Sequence, residues 1–471
     1  MNSAVQDQKK ANKLTSTRNA GKLVNDYWET VFRAKEEGKL VCWYEGSAIN
    51  PFLQAADICW VHGEAYSALL AARHQEGPAQ KAAEEHGYIK ELCSYARTHL
   101  GCVVSNQRMG NAPETPFLGM ADDPHLAARL PAPDMIISAY AYCSTGQQWD
   151  EITARLFGKK IPIFNVSIPL IWGGKPDAGY LKGEEWEETS QYLARQLREM
   201  VVFIEQQTGR KFEWDRLYEM MGYVKQASKL RLEAMDLCTA RPAPASFFDW
   251  IVSIAPLNNL PIGPHLVDFF QGMKDEVQQR VASGAGAIHN ERYRLYFDGI
   301  MNWNKVGWLA EKFAKYDATV VSGRYTHQAF WQEPDLIDPN DPILGMAQNY
   351  LICPINLSAP FLIEKTLNFC RKYELDGMVL HSSRTCRAFT NPQFLMAEAA
   401  TRELGIPTTM FEGDVTDESF YKDELLNSRV EAMLEAIDAS RAGRGTPSQV
   451  SDFSLLAQNR AEASPLVFHR G

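Results

Sequence analysis

The sequence predicts an α/β protein with two Rossmann-like domains, each built on a parallel sheet, and a long-helix segment between them. Three observations point that way. Short apolar runs of strand length recur between amphipathic stretches of helix length, a spacing that calls for βαβ units. The middle of the chain instead carries apolar residues at three and four with charges between them, as long amphipathic helices do. A length of 471 residues also exceeds what one ordinary core accommodates.

The elements follow in order. Residues 1–17 are polar and read as a flexible tail without the apolar stretch of a signal peptide. A helix is expected over 19–37, where Val24, Tyr27, Trp28, Val31 and Phe32 fall near helical spacing. Residues 40–44 read as a strand ending at Glu45-Gly46-Ser47, followed by helices near 50–57, 64–74 and 78–86. Further strands are expected at 135–140 and 161–166, with a helix over 147–157 between them. The first α/β domain thus spans 18–180 and the helical segment 181–290, with its main helices at 184–207 and 214–235. A second α/β domain spans 291–443, with strands at 293–297, 318–321, 377–380 and 407–411. Residues 444–471 lack periodicity and read as a C-terminal tail, in which Phe453 to Leu456 could dock locally.

Composition excludes several classes. A net charge of -10 and a pI near 5.6 argue against nucleic-acid binding. No apolar run reaches the ~20 residues that span a bilayer. A cytoplasmic protein without membrane attachment is expected. Nine cysteines in so long a chain are not a disulfide framework, so thiols or metal ligands are expected. No Walker A sequence is present, and Ser283-Gly-Ala-Gly-Ala287 follows a helix rather than a strand, so no bound nucleotide is expected.

Three cysteines stand apart from the rest: Cys93, Cys143 and Cys386 lie on small, polar, turn-like segments. Cys143 and Cys386 follow apolar strands, and strand C-termini are where open α/β sheets place their chemistry. Spacing alone favours ordinary buried thiols over ligands, because no compact Cys-x-x-Cys motif exists. Cys42, Cys59, Cys102, Cys238 and Cys370 sit on strands or amphipathic helices and read as core; Cys353, in Leu-Ile-Cys-Pro, is the most credible addition. His381, five residues before Cys386, would face a cavity at the strand ends as proton donor or carbonyl partner, or serve a structural role. Ser47 would touch substrate or cap the next helix. Glu64 and Asp414 are strand-end carboxylates whose ordinary role is capping or pairing. Arg384 and Arg387 flank Cys386 and suit an anionic group or a surface ion pair. Phe330-Trp331 reads as core or as part of an acyl pocket.

The segments Cys93-Ser-Tyr-Ala-Arg97 and Pro133-Asp134-Met135…Cys143…Trp149 resemble the 2-hydroxyacyl-CoA dehydratase and benzoyl-CoA reductase family. So do Tyr293-Arg-Leu…Asp298-Gly299…Asn302-Trp303, Asp338-Pro-Asn-Asp-Pro342, His381…Arg384-Thr-Cys386 and Phe411-Glu-Gly-Asp414. The resemblance covers about residues 20 to 442. It implies one 4Fe–4S cluster held between the two domains by Cys93, Cys143 and Cys386. It implies a paralogous second iron–sulfur subunit, an ATP-hydrolysing iron–sulfur activator and an acyl-CoA substrate. Two reactions are implied: reduction of benzoyl-CoA to a dienoyl-CoA, or dehydration of an (R)-2-hydroxyacyl-CoA through a ketyl radical. Pro133-Asp-Met, Asn302-Trp303 and Asp338-Pro-Asn-Asp-Pro342 resemble reductase subunits, whereas Cys93-Ser-Tyr-Ala-Arg97, His381 and Phe411-Glu-Gly-Asp414 look more like dehydratase subunits; of the two, the resemblance favours the reductase branch. Around Val61-His62-Gly63-Glu64 the chain departs from the family's proline–glutamate pattern. A non-catalytic electron-transfer protein of the same fold is the alternative from another class.

Overall fold

In the computed structural model, the described residues are 10–108, 129–141, 143–157, 160–170, 182–328 and 331–442, with backbone alone for 106–108. The expected tail at 444–471, including Phe453 and Leu456, lies outside them, as do residues 1–9.

The first half opens with α1 (Thr15–Arg33), which buries Tyr27, Trp28, Val31 and Phe32. Then come β1 (Val41–Gly46), α2 (Asn50–Ala55), β2 (Cys59–His62), α3 (Gly63–Ala72), α4 (Glu76–Glu85) and α5 (Ser94–Arg108). β3 (Met135–Ala139), α6 (Ser144–Leu156) and β4 (Ile163–Asn165) complete it. The helical middle comprises α7 (Glu184–Thr208), α8 (Trp214–Asp236), the short α9 (Phe247–Val252) and α10 (Ile254–Asn258), and α11 (Pro264–Ser283). The second half runs β5 (Tyr293–Asp298), α12 (Val306–Lys315), β6 (Ala318–Gly323), α13 (Arg324–His327), α14 (Ile343–Leu351) and α15 (Ala359–Lys372). It ends with β7 (Gly377–Ser383), α16 (Arg387–Thr390), α17 (Gln393–Leu404), β8 (Thr408–Gly413) and α18 (Asp423–Arg441).

Each half holds a four-stranded sheet, in the orders β2-β1-β3-β4 and β6-β5-β7-β8. Every strand pair is parallel. Written in chain order within each half, both sheets read 2-1-3-4. The sequence-predicted α/β class with two Rossmann-like sheets is therefore the observed one. In both sheets the crossover direction reverses between the first and third strands, and ligand crevices of open α/β sheets form at such switch points.

The structure corrects the expectation at four places. The segment 10–17, expected in a flexible tail, is docked: Ala11 bridges to Ile288, and the Leu14 N–H donates to Asp249 Oδ1 at 2.9 Å. The first helix begins at Thr15 rather than residue 19 and stops at Arg33. β2 is an addition to the expected strands, since four residues carry too little periodicity to register. β7 runs three residues past its expected end, to Ser383, which places His381 inside the strand.

Candidate active site

Gly46 makes the first turn of the site possible. Its φ is +87°, and a Cβ there would lie 2.5 Å from the Ala139 carbonyl oxygen, so only glycine lets the ends of β1 and β3 close together. The next N–H, of Ser47, donates to that same carbonyl at 3.0 Å. Ser47 is 1% exposed, its hydroxyl has no partner, and it lines a cavity of about 130 Å³.

Cys93, Cys143 and Cys386 line this cavity together. Each immediately precedes a helix: α5, α6 and α16 respectively. Each sulfur also faces backbone N–H groups of the turn it introduces: Ala96 for Cys93, Thr145 and Gly146 for Cys143, and Phe389 for Cys386. Helix starts leave such donors free and favour negative charge. Burial pushes Cys93 well up, and Cys386 and Cys143 add to that shift. Cys386 is pushed up to about 12, by burial first and by Cys143 next among the charges. Three half-buried sulfurs whose thiolates would repel one another, with N–H donors aimed at them, make a good thiolate ligand set once a metal is there to take the charge. An iron–sulfur cluster would relieve that repulsion, because its irons take the sulfur charges. The donor set fits the implied group.

The two halves are latched beside these cysteines. The Ser94 N–H donates to Thr385 Oγ1 at 3.0 Å, and Thr385 donates through Oγ1 and its backbone N–H to Asp414 Oδ2 at 2.7 and 3.0 Å. The Thr416 N–H donates to Ser94 Oγ at 3.2 Å, and the buried Arg97 pairs with Asp417 at 2.5 Å. Cys93 and Cys386 are thus the direct neighbours of two residues hydrogen-bonded to each other. Asp414, read from sequence as an ordinary strand-end carboxylate, is the anchor of this latch.

On one side the small cavity shares His62, Glu64, Tyr95, Ile254, Asn259 and Tyr325 with a larger one of about 640 Å³. The larger cavity extends past Trp303 and Trp308 to Arg73 and His74. Burial pushes the Glu64 carboxyl up to about 7 and the His62 imidazole down to about 4. His62 Nδ1 accepts the Ala65 N–H at 3.1 Å, so this histidine caps α3 at the point where the chain departs from the family pattern. On the opposite side the same three cysteines line a more polar cavity of about 760 Å³ with Ser144, Thr145, Gln147 and Arg387.

Other candidates from the sequence fall elsewhere. His381 lines none of these cavities. It is fully buried, paired in register with Phe411 and stacked on it, and its Nδ1–H donates to the Ile300 carbonyl at 2.7 Å. The longer β7 is the reason: an interior strand residue points into the packing, while Ile300 and Val415 form the wall in front of it. Cys353 does line the small cavity, with the Ile355 and Asn356 N–H groups on its sulfur, and burial holds it up to about 12. Arg384 is exposed and pairs with Glu412 at 3.4 Å. Phe330 lies outside the described residues; Trp331 is buried against Tyr350, away from the cavities. A second group of ligand-type side chains, His74, Glu76 and Glu418, lies where the α3–α4 turn meets the loop after β8. Lys305 pairs with Glu418 and Asn304 with Glu76, so it serves as a contact between the halves. Sequence reasoning gives Glu64 too little weight, although its place at the start of the helix expected near 64–74 is an available signal, and it misses Tyr95 and Tyr325 as cavity walls.

Known proteins share a related sequence over most of their length. The chain is 24% identical to a benzoyl-CoA reductase subunit of Thauera aromatica over 432 residues, covering 89% of this chain and 94% of that protein. It is 26% identical to the alpha subunit of lactoyl-CoA dehydratase of Anaerotignum propionicum over 420 residues, covering 87% and 93%. It is 22% identical to the alpha subunit of (R)-2-hydroxyglutaryl-CoA dehydratase of Acidaminococcus fermentans over 484 residues, covering 90% and 98%. The family model for the D-component of 2-hydroxyglutaryl-CoA dehydratase matches residues 50–437, which takes in all three cavity cysteines, and the chain belongs to that family.

Proposed function

We propose that this chain is the iron–sulfur subunit of a benzoyl-CoA reductase-type enzyme. Cys93, Cys143 and Cys386 would hold a 4Fe–4S cluster, and the cavity they share would hold the acyl group of an aromatic CoA thioester. The observation that carries the reading is the meeting of three helix-start cysteines from both halves at one wall of an apolar cavity. When bound, the cluster supplies single electrons at low potential beside the thioester.

The chain's own residues do the rest. Tyr95, Tyr140, Tyr325, Ile254, Ile300 and Phe389 surround the small cavity, an aromatic and aliphatic wall that suits a planar ring and keeps water from a radical. The larger cavity gives the thioester's long arm a way out toward Arg73 and His74. The Ser47 hydroxyl, without a partner, is free to donate to a thioester carbonyl. Glu64, with its carboxyl held near neutrality, is placed to give or take a proton. The sequence points to His381 for that role, but Glu64 has the access that His381 lacks. A paralogous second subunit and an ATP-hydrolysing activator complete the reading; the relatives are themselves subunits of larger enzymes.

One observation favours a second reading. A carboxylic acid inside the cavity also suits protonation of a departing hydroxide, as (R)-2-hydroxyacyl-CoA dehydration requires, and two of the relatives are dehydratase subunits. Side-by-side turnover decides. The chain, assembled anaerobically with its second subunit and activator, is offered benzoyl-CoA and a 2-hydroxyacyl-CoA. Ring reduction is expected; loss of water from the hydroxyacyl thioester alone would establish the dehydratase instead.

A further inference from the structure

Behind Glu64 lie two carboxyl groups that the proposed chemistry does not use. Glu45 on β1 and Asp150 on α6 are 1% and 3% exposed. The β1–β3 register sets Glu45 beside Ser138, and the Ser138 side chain faces the Asp150 carboxyl. On its other side Glu45 Oε2 accepts the Glu64 backbone N–H at 2.9 Å. Asp150, Ser138 and Glu45 therefore form a line across the end of the sheet, leading to the residue that lines both cavities.

No lysine or arginine among the described residues pairs with either group. Glu45 Oε1 and Asp150 Oδ2 have no hydrogen-bond partner. The basic group nearest Glu45 is His99, whose Nδ1 lies 3.6 Å from Oε1. That nitrogen already accepts the Trp149 indole N–H at 3.1 Å, and burial pushes His99 down to about 3, so it is neutral. Tyr44, Tyr140 and Glu64 also face Glu45, while Cys42, Tyr140 and Glu64 face Asp150; none of these brings positive charge. Burial raises both carboxyls; Asp150 and Glu64 raise Glu45 further, and Glu64 raises Asp150. Buried acids without a cation are kept in the neutral form. The backbone makes room for this arrangement: a Cβ on Gly63 would lie 1.8 Å from Glu45 Oε1. The Gly63 and Glu64 N–H groups at the start of α3 lower Glu45 in part, and the Ser138 hydroxyl lowers Asp150, but burial remains the larger effect on both.

We propose that Glu45 and Asp150 are a buried proton reservoir that recharges Glu64 between turnovers. For the proton's destination this rests on the acyl-CoA reading. Glu64 releases its acid proton to the bound substrate and becomes a carboxylate. The Glu45 acid proton passes to Glu64, the Asp150 proton passes to Glu45, and a solvent proton restores Asp150. One proton moves inward and no electron changes hands. Glu45 and Asp150 are positioning residues that act through Glu64.

The test uses infrared difference spectroscopy on the full chain, without substrate, between neutral and alkaline pH in H₂O and D₂O. Wild type should show carbonyl stretches of protonated carboxylic acids at neutral pH that shift in D₂O. Glu45→Gln and Asp150→Asn, each with wild-type circular dichroism, should each lose a distinct part of that signal. In the assembled enzyme Asp150→Asn should lower kcat by roughly tenfold or more with KM unchanged, and Asp150→Glu should restore it. Absence of acid bands at neutral pH, or bands unchanged in both variants, would overturn the reservoir. So would wild-type kcat in both variants. Failure to turn over any acyl-CoA would instead contradict the function reading, and would leave the bands in place.

Discussion

The two halves share a strand order yet treat the acid at the end of their first strand in opposite ways. In the second half Asp298, at the end of β5, is fully buried and paired with the equally buried Arg324 at 2.9 Å, with Gln393 donating to the same oxygen at 2.8 Å. In the first half Glu45, near the end of β1, has no cation and an oxygen without a partner. One topology thus supports a neutralised structural charge on one side and an uncompensated acid on the other. On the proposed reading, the first half is the side that handles protons and the second the side that braces it.

The largest expected effect breaks the neutralised side. Arg324→Ala leaves the Asp298 charge buried alone and should cost about 3–5 kcal/mol in chemical denaturation. Glu45→Gln, by contrast, replaces an acid already held neutral and should stay within about 1 kcal/mol of wild type at neutral pH. Equal losses in the two variants would erase the distinction.

Next comes the latch. Thr385→Val removes the donor to Asp414 and the acceptor for Ser94, and should cost about 1–3 kcal/mol. Iron retention in anaerobic preparations should fall with it, since Cys93 and Cys386 adjoin the broken contacts.

A smaller effect appears in the pH dependence. Glu64 is raised to about 7, so between its unfolded value of 4.5 and 7 the folded chain binds the extra proton. Its contribution therefore favours folding at low pH and is lost as pH rises through 7. Denaturation midpoints of wild type minus Glu64→Gln should trace that decline; a rising difference would reverse the assignment. The smallest effect belongs to the surface. Arg384 and Glu412 are 54% and 61% exposed, so Arg384→Ala should change stability by about 0–1 kcal/mol.

What is legible in the sequence follows from the range of the interactions. Of the eight strands among the described residues, seven are readable as apolar runs; in β1, β3, β5, β6 and β7 burial on both faces writes itself locally. β2 escapes, with only Cys59 to His62 to announce it. The cysteines and Ser47 are reachable because strand ends and turn residues mark the positions where α/β sheets bind ligands. The role of Asp414 is not, since Ser94, Thr385 and Asp414 are adjacent only after the halves meet. Nor are Glu45 and Asp150, whose juxtaposition depends on the β1–β3 register and on a helix packed beneath it. His381 misleads because the visible apolar run stops at Leu380, whereas the pairing with β8 continues to Ser383.

The most direct test of the central claim is iron and sulfide analysis, with visible absorption, of anaerobically purified wild type, Cys143→Ala, Cys386→Ala and Cys42→Ala. Cys42 is buried on β1, away from the cavity, and serves as the control. The account predicts a brown protein with stoichiometric iron and sulfide in wild type and Cys42→Ala, and loss of both in the two cavity variants. Full cluster content in Cys143→Ala and Cys386→Ala, or iron-free wild type, would contradict it.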